Sequence, residues 1–302
     1  MLEFLLKITT YRAALRIMTP ILLAALGGAF SHYAGILNIA LEGQMLLSAF
    51  IAVAASYYFG SALWGVVAGV ACGIVVGLLF GLFVITFKAD EFIVGTAINI
   101  LAVGGTTFLM RAWFNVKASF SDPGIVPLPE ISLPFISNSS FLGQLINGQS
   151  SLVYLSWLLV IALYVLFYHT PFGFHLRATG EHPEAFESAG GNVAFIRYIA
   201  SISCGAMCGL AGTHLALGYL TQFVLNMTAG RGFISLSATI FGNGNPLIVA
   251  LASFLFALAE SFSIRFQSIG IPPYFVLMIP YIFTIIVLVI ISARRHTNEL
   301  ME

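Results

Sequence analysis

Long apolar runs separated by short polar breaks dominate the chain. Apolar runs at about Ile17–Tyr33, Trp64–Phe87, Phe92–Met110, Leu152–Tyr168, Ile199–Gly218, Leu247–Ile264 and Tyr274–Ser292 each have the length of a membrane-crossing helix. A further run over 35–59 follows the first span, and an interrupted apolar segment over 221–245 follows the sixth. The pattern predicts an all-α polytopic membrane protein with about nine transmembrane or membrane-embedded helices. Residues 1–16, with Glu3, Lys7, Arg12 and Arg16, read as an amphipathic segment lying at the interface. One membrane domain, 1–302, is expected.

The breaks carry their own signals. In the third span Gly65, Gly69, Gly73, Gly77 and Gly81 recur every four residues, a stripe suited to close helix packing. Residues 111–150 hold Pro123, Pro127, Pro129 and Pro134 and read as an ordered loop over the membrane face. In 169–197, Pro183 stands where a helix starts, Glu184 and Glu187 lie toward its positive end, and Gly190-Gly191 stop it. A helix of two turns is marginal alone. It is either a docking element for another protein or an ordinary capped loop.

The informative polar residues lie inside the run GILNIALEGQMLLSAF, residues 35–50. The spacing places Asn38 and Glu42 four apart on one helix face, with Gly35 below them, and Gln44 and Ser48 on a second stripe. Such groups are costly against lipid unless they face protein or water. The stretch therefore reads either as the lining or hinge of a transport pathway or as a packing motif in which Gly35 and Gly43 permit close contact. The segment TQFVLNMTAGRGFISLSATIFGNGN holds Arg231 between Gly230 and Gly232, with Arg231 at an interface or paired with an acid. Interruptions at 35–50 and 221–245, one in each half, fit two repeats that build a central pathway from broken helices.

Composition agrees. Of 302 residues 59% are hydrophobic and only 8% charged, against roughly 25% charged in soluble domains. The net charge is zero, with no basic run, which argues against nucleic acid. Cys72, Cys204 and Cys208 lie in apolar runs and read as packing residues. No cofactor or metal site is expected: His169, His175 and His182 lack ligand spacing. The chain has no G-x-x-x-x-G-K-[ST] phosphate loop and no nucleophile–base–oxyanion constellation, so it is not expected to hydrolyse ATP or act as an enzyme.

Three motifs in register, GILNIALEGQMLLSAF, RATGEHPEAFESAGG and TAGRGFISLSATIFGNGNP, resemble the permease subunits of bacterial ABC importers. The branch is that of ribose, branched-chain amino acid and nucleoside permeases, and LNIALEGQM with AGRGFISL is most similar to the nucleoside, simple-sugar-like one. The likeness covers roughly 20–290. His182 replaces the family's usual Asn, and Phe186 a usual Ala. The resemblance implies a type II importer-like permease in the inner membrane, working with a cytoplasmic ABC ATPase, a second homologous permease and an extracytoplasmic solute-binding protein. It implies that loop 169–197 is cytoplasmic and that its helix, Pro183–Ala189, couples to the ATPase, with Gly180, Glu181, Pro183, Glu184, Glu187 and Gly190 as its motif. Gly230, Arg231 and Gly232 form a structural motif. The expected cargo is a small polar solute, first a nucleoside, because Asn38, Gln44 and Asn99 with Glu42 give a low-charge pathway of hydrogen-bonding groups. A sugar or branched-chain amino acid permease, or a proton-coupled secondary transporter using Glu42 or Glu260, is the alternative.

Overall fold

The computed structural model describes residues 8–132 and 141–267. Among them, six helices are long and apolar enough to cross a membrane. They are α1 (Ile8–Tyr33), α3 (Ala62–Gly81, continued by a π-helical turn, Leu82–Thr86), α4 (Glu91–Phe114), α6 (Ser151–His169), α9 (Val193–Thr213, continued by π-helical His214–Leu220) and α11 (Pro246–Gln267). A seventh long helix, α2 (Leu41–Phe59), is buried over most of its length. Shorter helices are α5 (Phe141–Ile146), α7 (Pro171–Glu181), α8 (Pro183–Ser188) and α10 (Arg231–Phe241). Of the nine spans expected, the last, Tyr274–Ser292, lies outside the described residues. The interrupted segment 221–245 supplies only the 11 residues of α10, about 16 Å of helix, too short to cross. The first helix starts at Ile8, nine residues before the expected start of the span, so residues 8–16 continue α1 without a break.

The helices end where local chemistry requires. Asp90 caps α4 by accepting from the Phe92 and Ile93 N–H groups at 3.0 Å, and Asn115 closes it in the left-handed region. Asn192 caps α9 through the Phe195 N–H at 2.9 Å. Thr170 caps α7, whose first residue is Pro171.

Small residues bring the central helices together. A Cβ added at Gly73 would collide with the Gly205 carbonyl oxygen, and one at Gly77 with that of Ser201. The glycine stripe of α3 therefore lies backbone to backbone on α9, the packing role expected of it. Gly212 of α9 meets the Met45 carbonyl of α2 in the same way. Cys204 and Cys208 are fully buried here.

Two ends of the molecule can be told apart by what gathers there. At one end, β1 (Ser119–Phe120) pairs with β4 (Phe223–Val224), and β2 (Glu130–Ile131) with β3 (Gln149–Ser150), both antiparallel. Arg16 of α1 donates to Gln149 Oε1 at 2.9 Å, and Ser56 of α2 to the Val126 carbonyl at 2.9 Å. At the other end, Gly35 lies against Gly180 of α7, Arg197 donates to the Ala34 carbonyl at 3.3 Å, and His32 bonds Asn243 at 3.2 Å. The 26 residues of α1 join these ends, about 39 Å apart along its axis.

Candidate functional site

The site lies between the ends, where the two interrupted segments meet. The chain turns over Ala34–Ala40, and α2 starts at Leu41, running toward the strand end. From β4 the chain returns through tight turns at Asn226 (φ 54°), Ala229 (φ 47°) and Gly230 (φ 84°), and α10 runs to the opposite end. The two helices thus point in opposite directions with their N-termini abutting. A helix N-terminus presents unsatisfied N–H groups and a partial positive charge. Glu42 answers both: its Oε1 accepts from the Gly230 N–H at 2.8 Å and its Oε2 from the Gly232 N–H at 2.6 Å.

Glycine is required at the junction. A Cβ on Gly232 would lie 2.5 Å from the Glu42 Cα, and Gly230 adopts a φ that L side chains rarely take. Arg231 points elsewhere. It bonds the Met227 carbonyl at 3.1 Å and pairs with Glu260 of α11. Of the partners open to Arg231, the acid is therefore Glu260 rather than Glu42.

Asn99 completes the junction from α4. Its Oδ1 accepts from the Gly43 N–H at 2.8 Å, and its Nδ2 donates to the Ile39 carbonyl at 3.0 Å. It is eight residues beyond Glu91, about 12 Å up a helix of 24 residues that measures about 36 Å. That sets the junction well inside the apolar thickness.

Asn38 and Glu42 do not share a helix face, contrary to their i, i+4 spacing. Asn38 precedes α2. Its Oδ1 accepts from the Ala40 N–H at 2.9 Å, a local turn, and its Nδ2 reaches the Cys204 Sγ at 3.2 Å. A side chain that bonds its own backbone two residues on competes with helix formation. Gln44 is fully buried, its Oε1 facing the Cys204 Sγ at 4.0 Å. Neither lines the open cavity beside the junction.

That cavity, about 770 Å³, lies between α2, α4 and α10. Glu42 and Asn99 line it, with Thr96, Asn226 and the rings of Phe92 and Phe233. Sequence reasoning missed these last four. Phe92, Thr96, Asn99 and Val103 are spaced as one face of α4, the signal that could have found the α4 wall. Nothing local marks Asn226 or Phe233.

At the end opposite the strands, α7 and α8 form a hairpin. The sequence predicts α8, ending one residue earlier than expected, but not α7. No residue of α8 is buried, Glu184 and Glu187 are exposed, and Gly190 (φ 87°) ends the turn. Glu181 and Phe186 line a groove of about 360 Å³ between the two helices, while Gly180 packs on the Tyr33 carbonyl.

Long apolar helices around a polar junction of opposed helix ends define the class: an integral, multi-pass membrane permease. The comparison with known families is in line. The chain belongs to the family described as branched-chain amino acid transport system / permease component, whose pattern matches residues 11–288. The chain is similar to the guanosine ABC transporter permease protein NupQ of Bacillus subtilis, 34% identical over 91% of this chain and 89% of that one. It is similar to the nucleoside ABC transporter permease protein NupC of Lactococcus lactis, 32% identical over 91% and 90%. A more distant relative, NupB of the same organism, a nucleoside ABC transporter permease protein, is 24% identical over 86% of this chain and 73% of that one. No solved structure matches. The likeness drawn from the three motifs thus holds over nearly the whole chain, and the chain is a permease subunit of an ABC importer.

Proposed function

We propose that the chain is one of two permease subunits of an importer that carries nucleosides, driven by a cytoplasmic ATPase pair and supplied by an external binding protein. The observation that carries the reading is the chemistry of the 770 Å³ cavity: carboxamides, a hydroxyl, aromatic rings and the Glu42 carboxylate, with no Lys or Arg lining it among the described residues. A neutral solute with hydroxyl groups and a planar base suits such a surface. The names of the relatives that cover most of the chain point the same way. A proton-coupled carrier has less support. Both oxygens of Glu42 accept backbone N–H bonds, and Glu260 is paired with Arg231.

In this reading the open side of the cavity faces the second permease, and the α7–α8 hairpin lies on the cytoplasmic side. The exposed, acidic α8 is the coupling helix, ordered against a groove of the ATPase. Closure of the ATPase pair on ATP moves the hairpin as a rigid body, and Gly180 passes the motion to the Tyr33–Gly35 turn ahead of the junction. Replacing Glu184 and Glu187 together by Lys tests the docking. The permease should reach the membrane at its normal level while recovery of the ATPase with it falls several-fold, and nucleoside uptake with it. Unchanged recovery and uptake would contradict the assignment.

A further inference from the structure

Two features of the cavity are unexplained by the packing of the chain. The first is a pair of free hydrogen-bonding side chains. Buried or helical threonines in an apolar setting commonly turn their hydroxyl to the carbonyl four residues back. Thr19, Thr106, Thr107, Thr179, Thr213 and Thr239 do so. Thr96, on the cavity face of α4, makes no such bond among the described residues, and neither does the carboxamide of Asn226 across from it. Asn226 is exposed and has a left-handed backbone, at the turn ahead of α10. The second feature is aromatic. Phe92, 63% exposed, and Phe233, 46% exposed, stand on separate walls of the same cavity. A ring facing lipid needs no account. Two rings on walls that also present an unbonded hydroxyl and carboxamide form an amphipathic surface of the kind a small ligand occupies.

The charge in the cavity narrows the ligand. Converging helix N-termini inside a membrane are the place where a transporter holds an anionic group of its substrate. Here a resident carboxylate has that position: Glu42 occupies the N–H groups of Gly230 and Gly232, and no cation lines the cavity among the described residues. A phosphate or an amino-acid carboxylate entering the cavity would meet a like charge where the Gly230 and Gly232 N–H groups are already taken. A neutral solute would not.

We propose that this cavity is a nucleoside subsite in which Phe92 and Phe233 flank the planar base, Thr96 and Asn226 bond its polar edge or the ribose, and Glu42 excludes anionic solutes. The inference rests on the nucleoside reading of the whole importer and adds the residues that recognise the cargo and reject its phosphorylated form.

The test uses the complete importer purified with its partner subunits. An azido-purine nucleoside is photoactivated with the complex, and labelled peptides are mapped; the 5′-monophosphate of the same probe is run beside it. Label on peptides containing 92–104 or 226–233, and at least tenfold less with the monophosphate, is expected. Thr96→Val and Asn226→Ala should each lower labelling and uptake about threefold to tenfold, the range of one hydrogen bond, with complex yield unchanged. Thr107→Val, whose hydroxyl is satisfied within α4, serves as the control and should change neither. Nucleoside uptake at the wild-type rate in both cavity variants, or label confined to other segments, or equal labelling by the monophosphate, would overturn the subsite while leaving nucleoside import intact. Absence of any nucleoside uptake by the wild-type complex would instead defeat the broader reading.

Discussion

At the scale of the residue, Glu42 caps a helix that is not its own. Its two bonds to the Gly230 and Gly232 N–H groups span 188 and 190 positions of sequence, and they join the half of the molecule that carries α2 to the half that carries α10. The bonds are charge-assisted, hence stronger than neutral ones. Glu42→Leu leaves two N–H groups, one buried and one partly buried, without their acceptor, at about 1–3 kcal/mol for a buried unsatisfied donor. Glu42→Gln keeps one acceptor but turns an NH₂ toward the other N–H. The expected order of thermal stability of the detergent-solubilised importer is therefore wild type, then Gln, then Leu, with uptake falling in the same order. A Leu variant as stable and as active as wild type would show that the junction does not depend on Glu42. The residue was legible in the sequence as a carboxylate in the wrong solvent. Its partner was not, because a backbone N–H has no signature of its own and Arg231 is the more obvious charge nearby. Asn38 misled for a related reason: periodicity assigns faces only where a helix is present, and Asn38 bonds the turn that precedes one.

At the scale of the element, apolar length was the dependable signal. The runs at Trp64–Phe87, Phe92–Met110, Leu152–Tyr168 and Leu247–Ile264 correspond to α3, α4, α6 and α11, with ends displaced by a few residues where caps such as Asp90 at the start and Asn115 at the stop of α4 set the bounds. The four-residue glycine repeat gave both the existence of a contact and its kind, since only close backbone approach requires it. It could not say that the partner is α9. The α7 helix was missed because Pro171 and the glycines of PFGFHLRATGE read as loop residues, whereas Pro171 stands at the first turn, where proline is tolerated. The glycines also separate by environment. Gly73→Ala places a methyl group against the Gly205 carbonyl of α9, so α3 and α9 must part. Gly105→Ala on α4 meets nothing within 4 Å. Membrane expression and melting temperature should collapse for the first and hold for the second; equal tolerance of both would mean that α3 and α9 do not pack through the stripe.

At the scale of the whole molecule, the buried α2 and the short α10 meet head to head beside the membrane-length helices. That arrangement sets two helix dipoles, the Glu42 carboxylate and the Asn99 carboxamide together, both side chains held by backbone hydrogen bonds of the kind a polar group inside the apolar thickness needs. It also leaves one wall of the cavity open, so a second permease completes the pathway in the proposed assembly. The interruptions in each half were visible as polar and glycine-rich breaks in apolar runs. Their meeting was visible only in the structure, because it depends on how the two halves fold back on each other. The proposed activity is nucleoside import through this chain, driven by ATP hydrolysis in partner subunits. It is tested most directly in proteoliposomes holding the purified importer, with binding protein and labelled nucleoside on one side and ATP on the other. Uptake that requires ATP, persists when a protonophore collapses the proton gradient, and falls several-fold with Glu42→Leu is the result predicted. Uptake that continues without ATP and disappears with the protonophore would contradict it.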